Sequence, residues 1–153
     1  LREYRSVFFG RLKKILGDFE GIDVVGDRFV FSSEVLFDRG SADIGMAGKL
    51  QLDTISNVLK DISQKIPDDI NWVLRVDGHT DNTPVSQNSI FNDNWELSQA
   101  RSLSVVKYMI NTHGIDPKRM SAAGFGEHQP ISFSNSKEAL AKNRRIEFKL
   151  TER

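Results

Sequence analysis

The stretch VDGHTDN, residues 76–82, sets a histidine and two aspartates around a glycine, directly after the apolar run NWVLRV. An imidazole beside carboxylates is the raw material for a metal site, for general acid–base chemistry, or for gripping a cation. Metal ligation finds little support in the spacing. His79 and Asp81 stand at i and i+2, the only other imidazoles are His113 and His128, and a hydrolytic zinc site wants three protein ligands and an open position. His113 precedes Gly114 in a helix-ending loop and His128 lies in GEHQP, so nothing in the sequence brings the three together. No metal is expected, and His79 reads as a turn residue bonded to backbone carbonyls. Nucleophilic catalysis is equally unsupported: there is no cysteine and no G-x-S-x-G elbow, and Ser98 falls inside a helix. GFGEHQ, residues 124–129, lacks the third glycine of a dinucleotide fingerprint and opens no helix, so no cofactor is expected and its glycines read as turn formers.

Arg101 is the stronger clue. A helix over about 94–111, capped by Asn94 with Glu96 in its first turn, carries one apolar face of Leu103, Val106 and Ile110 and a second of Leu97, Val105 and Tyr108. Arg101 stands between apolar neighbours in its second turn, and a partly buried charge needs a partner. Asp81, at the mouth of the preceding strand, is a candidate. Two arrangements stay open at this point. The pair forms an internal salt bridge, or the charges stand apart and share a zwitterion, Asp81 taking an ammonium and Arg101 a carboxylate through its planar fork.

The elements that must position these residues follow from periodicity. Tyr4, Phe8, Leu12 and Ile15 predict an amphipathic helix over 2–16, stopped by Gly17 and Gly21. DRFVFSSEVLF, 27–37, reads as one bent strand or two short ones. Leu52, Ile55, Leu59, Ile62 and Ile66 predict a helix over about 46–65, ended by Pro67. INWVLRV, 70–76, suits an interior strand; MSAAGFG, 120–126, a short one; and RIEFKL, 145–150, alternates apolar with charged residues. Strands separated by helices favour crossovers, hence an α/β (α+β) sandwich with a mixed sheet and helices packed on one face. The 153 residues suit an N-terminal helix and linker over 1–26 and one domain over 27–153. Lys plus Arg and Asp plus Glu both number 21, so no general positive field holds nucleic acid or an anionic membrane. No run of about 18 apolar residues is present, and a start at Leu1 suggests a fragment with targeting and membrane segments upstream.

GHTDN, NWELSQARSLSVVKYM, GFGEHQP and NRRIEFKL, met in that order between about Val35 and Leu150, resemble the successive motifs of the OmpA-like peptidoglycan-binding domain. The resemblance implies a non-catalytic β-α-β-α-β-β module that binds the free amino-acid end of meso-diaminopimelate in a peptidoglycan stem peptide. It assigns the ligand's ammonium to Asp81 and its carboxylate to Arg101, with Asn94 as a supporting or loop-ordering residue, Thr80 and Leu97 in the pocket wall, and Arg145, with Arg144, from the N-R-R motif. Ser102 stands where the family usually has alanine, a small-for-small change. The long loop from Asn82 to Asp93 and the N-terminal helix are similar to the MotB-like, flagellar stator branch. That branch implies a periplasmic cell-wall anchor and homodimer on an inner-membrane protein with a MotA-like partner. A Pal- or OmpA-type tether of the outer membrane is the alternative, and a cell-wall hydrolase the rival of another class.

Overall fold

A computed structural model describes residues 1–16 and 22–153; the expected stop signals Gly17 and Gly21 lie outside the described residues. Five strands pair in the order β1-β2-β5-β3-β4: β1 Ile22–Val25, β2 Arg28–Ser32, β3 Trp72–His79, β4 Met120–Gly124 and β5 Arg145–Glu152. Only β3 and β4 run parallel; the other pairs are antiparallel. The helices are α1 Arg2–Leu16, α2 Ser33–Leu36, α3 Met46–Ser63, α4 Asn94–His113 and α5 Lys137–Asn143. The succession β2, α3, β3, α4, β4, β5 is the expected mixed-sheet sandwich, with β1, α2 and α5 added to it.

Alternation along the central strands separates an apolar face from a charged one. Phe29 and Phe31 of β2, Leu74 and Val76 of β3, and Ile146, Phe148 and Leu150 of β5 are fully buried in one cluster with Leu52, Ile55, Leu59 and Ile62 of α3 and Val105 and Met109 of α4. α1 closes this core. Its buried side chains are Phe8, Phe9, Leu12 and Leu16, and Tyr4 packs against the same cluster, so the expected stripe holds at Tyr4, Phe8 and Leu12, while Ile15 is 48% exposed and Phe9 and Leu16 are buried instead. Phe8 and Leu12 are wholly buried, each contributing about 2–3 kcal/mol by removal from water. Arg5 Nε donates to the Leu150 carbonyl and Arg11 pairs with Asp61 of α3, tying the helix to its own domain. The boundary expected between 26 and 27 falls in the turn joining two paired strands, β1 and β2.

Residues 27–37 are neither a bent strand nor two. β2 ends at Ser32, whose hydroxyl accepts the Glu34 N–H and so starts the one-turn helix α2. The unexpected α5 likewise starts at a serine, Ser136, accepting from Ala139 N–H. At seven residues it is too short to show helical periodicity in the sequence. α4 is capped by Asp93 rather than Asn94, since Asp93 Oδ1 accepts the Glu96 N–H.

α4 lies unusually close to the sheet, and two glycines make that possible. Gly78 and Gly124 are paired across β3 and β4. A Cβ on Gly78 would stand 2.2 Å from the Ser98 carbonyl oxygen, and one on Gly124 would stand 2.6 Å from Gln99 N. Gly124 therefore serves helix approach, and Gly126, with φ 61°, forms the turn expected of both. The helix face that meets these glycines is small and polar, Ser98 and Ser102; of the apolar residues expected on α4, Leu97, Val105 and Val106 are buried, Tyr108 and Ile110 pack against the core, and Leu103 is 37% exposed. Ser102 Oγ lies 2.9 Å from the Ala123 carbonyl, a tie to β4 that alanine would not make.

Gly78→Ala should destabilise the domain by about 2–3 kcal/mol or more, since the obstacle is backbone rather than a yielding side chain. Gly10→Ala, at a helical position with nothing within 4 Å of the added carbon, should instead stabilise by about 0.5–1 kcal/mol. Urea unfolding of both variants checks the contrast.

Candidate functional site

The C-terminal end of β3 and the start of β5 meet because these strands are antiparallel with His79 opposite Arg145. Thr80 and Asp81 leave β3 there, and Arg144 enters β5. Thr80 N–H donates to the Gly126 carbonyl and its hydroxyl to the Asp81 carbonyl, fixing the exit of the strand. Asn94 Nδ2 donates to the Thr83 carbonyl at 3.0 Å and lies 3.4 Å from that of Asp81, so it orders the loop. Thr80, Asp81, Asn94, Leu97 and Arg101 are all buried within this end of the molecule.

Asp81 and Arg101 form no salt bridge with each other. Asp81 Oδ1 accepts the Thr83 N–H at 2.9 Å, and Oδ2 accepts Arg144 Nη1 at 2.6 Å. Arg101 Nε donates to the Ser41 carbonyl at 2.8 Å, Nη2 lies 3.5 Å from the Asp38 carbonyl, and the guanidinium carbon sits 5.1 Å above the Phe37 ring. Among the described residues Arg101 pairs with no carboxylate. Burial first, then the Arg144 guanidinium, push its pKa down to about 10 against the opposing pull of Asp81. It is still charged at neutral pH, 6% exposed, and held by neutral acceptors only.

Arg145 belongs elsewhere. Its Nε donates to Glu147 at 2.6 Å and its other N–H groups to the Asn143 and Gln129 carbonyls, on the charged sheet face. The arginine at the mouth is Arg144, and the alternation of β5 is the signal: Arg145 shares its parity with Glu147 and Lys149, whereas Arg144 precedes the strand. Glu34, Phe37, Asp38 and Ser41, which surround the two arginines, were not singled out in the sequence because they come from a remote segment with no motif spacing to mark them.

The same face holds a buried ion ladder. Asp77 accepts Arg75 at 2.8 and 2.9 Å, and Glu147 accepts Arg28 at 2.7 Å beside Arg145. His79 lies among them, 3% exposed, stacked on Phe125 at 5.0 Å, with Nε2 3.7 Å from Glu147 Oε1 and neither ring nitrogen hydrogen-bonded among the described residues. It is a strand residue without carbonyl partners, contrary to the turn role expected. Ligand atoms of Asp77, His79 and Glu147 fall within 4.8 Å of one another. Yet three guanidiniums already occupy the two carboxylates, leaving a positive balance that repels a cation. A hollow of about 310 Å³ at the opposite end, lined by Asn71, Arg119 and Arg153, lies away from Asp81; a groove of about 190 Å³, with Phe133 and Leu140, opens beside it.

The sequence profile of the OmpA family matches residues 36–144. The chain belongs to the OmpA family. Motility protein B of Bacillus subtilis is 35% identical over 113 residues, 74% of this chain and 40% of that protein. Thus the chain spans about half the length of the curated relatives it matches, or less. Among solved structures, a MotB-like protein from Desulfovibrio vulgaris superposes with a TM-score of 0.83 at 29% identity, covering 99% of this chain and 93% of that one. The cell wall anchor of the T6SS from Pseudomonas aeruginosa does so with 0.78 at 26%, covering 94% and 96%. This OmpA-family domain therefore shares its fold and the MotB-like branch with the resemblance read from its motifs. No helix among its described residues is long and apolar enough to cross a membrane.

Acid sensitivity should centre on His79. Burial first, then the Arg145 guanidinium, hold its pKa down to about 4 against the opposing Glu147 charge. The unfolded chain takes the proton near 6.5. The unfolded state therefore binds more protons between these values, so stability is full above about 6.5, falls as pH drops, and levels off below about 4. The loss should be on the order of 2–3 kcal/mol. Urea midpoints of His79→Gln and the parent at pH 7 and 4.5 check it: the variant should lose that much less on acidification.

Proposed function

We propose that this OmpA-family domain binds peptidoglycan non-catalytically, holding the free amino-acid end of a diaminopimelate stem peptide, and so anchors a membrane complex to the cell wall. The observation that carries the proposal is a buried pair of opposite charges, Asp81 and Arg101, at one mouth and not bonded to each other. Asp81 suits the ammonium. Arg101, held only by carbonyl oxygens, suits the carboxylate through its remaining N–H groups. The groove beside Asp81 offers room for the peptide that continues from this end. A hydrolase reading is less well supported, because the Ser98 hydroxyl is committed to the Trp95 carbonyl and Gly126 N–H.

Likeness to Motility protein B and to a cell wall anchor supports a MotB-like stator role in the periplasm, with a MotA-like partner engaged through a further segment and a homodimer as the working unit. A Pal- or OmpA-type tether of the outer membrane uses the same site and is the second reading, supported by the family itself.

Asp81→Asn and Arg101→Gln should each lower binding to diaminopimelate-type sacculi about tenfold to a hundredfold, the loss of about 1.5–3 kcal/mol for one charge-assisted contact. Co-sedimentation measures this, and no soluble fragments should be released. Binding equal to the parent in both variants would sink the proposal. Stem peptides with lysine in place of diaminopimelate lack the side-chain carboxylate that Arg101 takes. Their affinity should fall by a similar factor in a calorimetric titration, and equal affinity would remove the role given to Arg101.

A further inference from the structure

Asp81 already holds a cation. Arg144 Nη1 occupies Oδ2 and the Thr83 N–H occupies Oδ1, so an arriving ammonium meets a carboxylate with both oxygens engaged. Arg144 is also shared outwards. Its Nε donates to Glu34 Oε1 at 3.1 Å, and Nη2 binds the same oxygen. The backbone enforces this triad: Ser33 N–H donates to the Arg144 carbonyl at 3.0 Å, next to the Ser32–Arg145 pair that ends the β2–β5 ladder, which sets Glu34 beside Arg144. Side-chain exposure rises outwards, from 9% for Asp81 through 30% for Arg144 to 60% for Glu34.

We propose that Arg144 is a resident counter-ion that the ligand's ammonium displaces from Asp81, and that Glu34 is the positioning residue that receives it. This rests on the reading of Asp81 as the ammonium site. Exchange of one cation for another keeps the buried carboxylate paired at every stage, which avoids the cost of a desolvated, unpartnered charge. The displaced guanidinium keeps its bonds to Glu34, near solvent. Ligand affinity is thereby set by competition within the domain, and Glu34, which touches no ligand, biases it.

The test is a titration of the whole chain with free meso-diaminopimelate, followed by the Thr83 amide resonance. Arg144→Gln removes the competitor and should tighten binding about three- to tenfold. Glu34→Gln leaves Arg144 with Asp81 alone and should weaken binding about two- to fivefold, the reach of a solvent-exposed ion pair. In the double variant the Glu34 effect should vanish, which a merely structural role for Glu34 would not produce. Weaker binding on Arg144→Gln, or a Glu34 effect that persists without Arg144, overturns the proposal while leaving Asp81 as the ammonium site. No binding by the parent or any variant overturns the reading of the site and the proposal with it.

Discussion

The seating of α4 on Gly78 and Gly124 is the constraint on which the site depends. A helix whose backbone touches a sheet backbone has almost no freedom to slide or roll, because the contact is between atoms that no rotamer can move. Ser98 and Ser102 complete that contact with hydrogen bonds to Gly126 and Ala123. Arg101 then follows one turn beyond Ser98, on the face turned to the strand ends. Any side chain at 78 or 124 would lift the helix and carry the guanidinium away from Asp81.

The second organising feature is the division of charge between the two ends of one strand pair. β2, β3 and β5 bring ionisable groups to one sheet face or its rim, and those on the face largely cancel in place: Arg75 with Asp77, Arg28 and Arg145 with Glu147. Such ladders are rigid because each carboxylate has more than one donor. The rim differs. Arg101 has only carbonyl acceptors, and Asp81 is paired with an arginine that has a second acceptor at hand. Charge that is fully compensated supports the sheet; charge that is compensated exchangeably is what a zwitterionic ligand can use. His79 sits between these regimes, stacked on Phe125 and kept neutral by burial, so it supplies shape at neutral pH and a liability in acid.

Much was legible in the sequence. Apolar periodicity marked α1, α3 and α4, an apolar β-branched run marked β3, strand alternation marked β5, and four ordered motifs marked the family and the residues Asp81 and Arg101. These signals are local, and each element carries its own. The short pieces were not legible: α2 and α5 hang on single serine caps, and β1 is four residues that become a strand only by pairing with β2. The buried stripe of α1 was partly missed for a related reason, since Phe9 and Ile15 are equally apolar and only the position of α3 and Phe29 decides which one faces inward.

The sequence by itself determined which residue types were available: two opposite charges in motif positions, an Arg-Arg pair before a strand, small residues where a helix meets a sheet. Only the tertiary structure decided how they pair. Whether Asp81 bonds Arg101 or stands apart depends on the depth at which α4 is seated against two glycines. Which of Arg144 and Arg145 reaches the mouth is decided by the register of β5 against β3, in which one residue's shift reverses the face. Glu34 is 110 residues from Arg144, and only the β2–β5 pairing makes them neighbours. Pairing of charges depends on distance and burial, and these arise from long-range packing rather than from the order of residues along the chain.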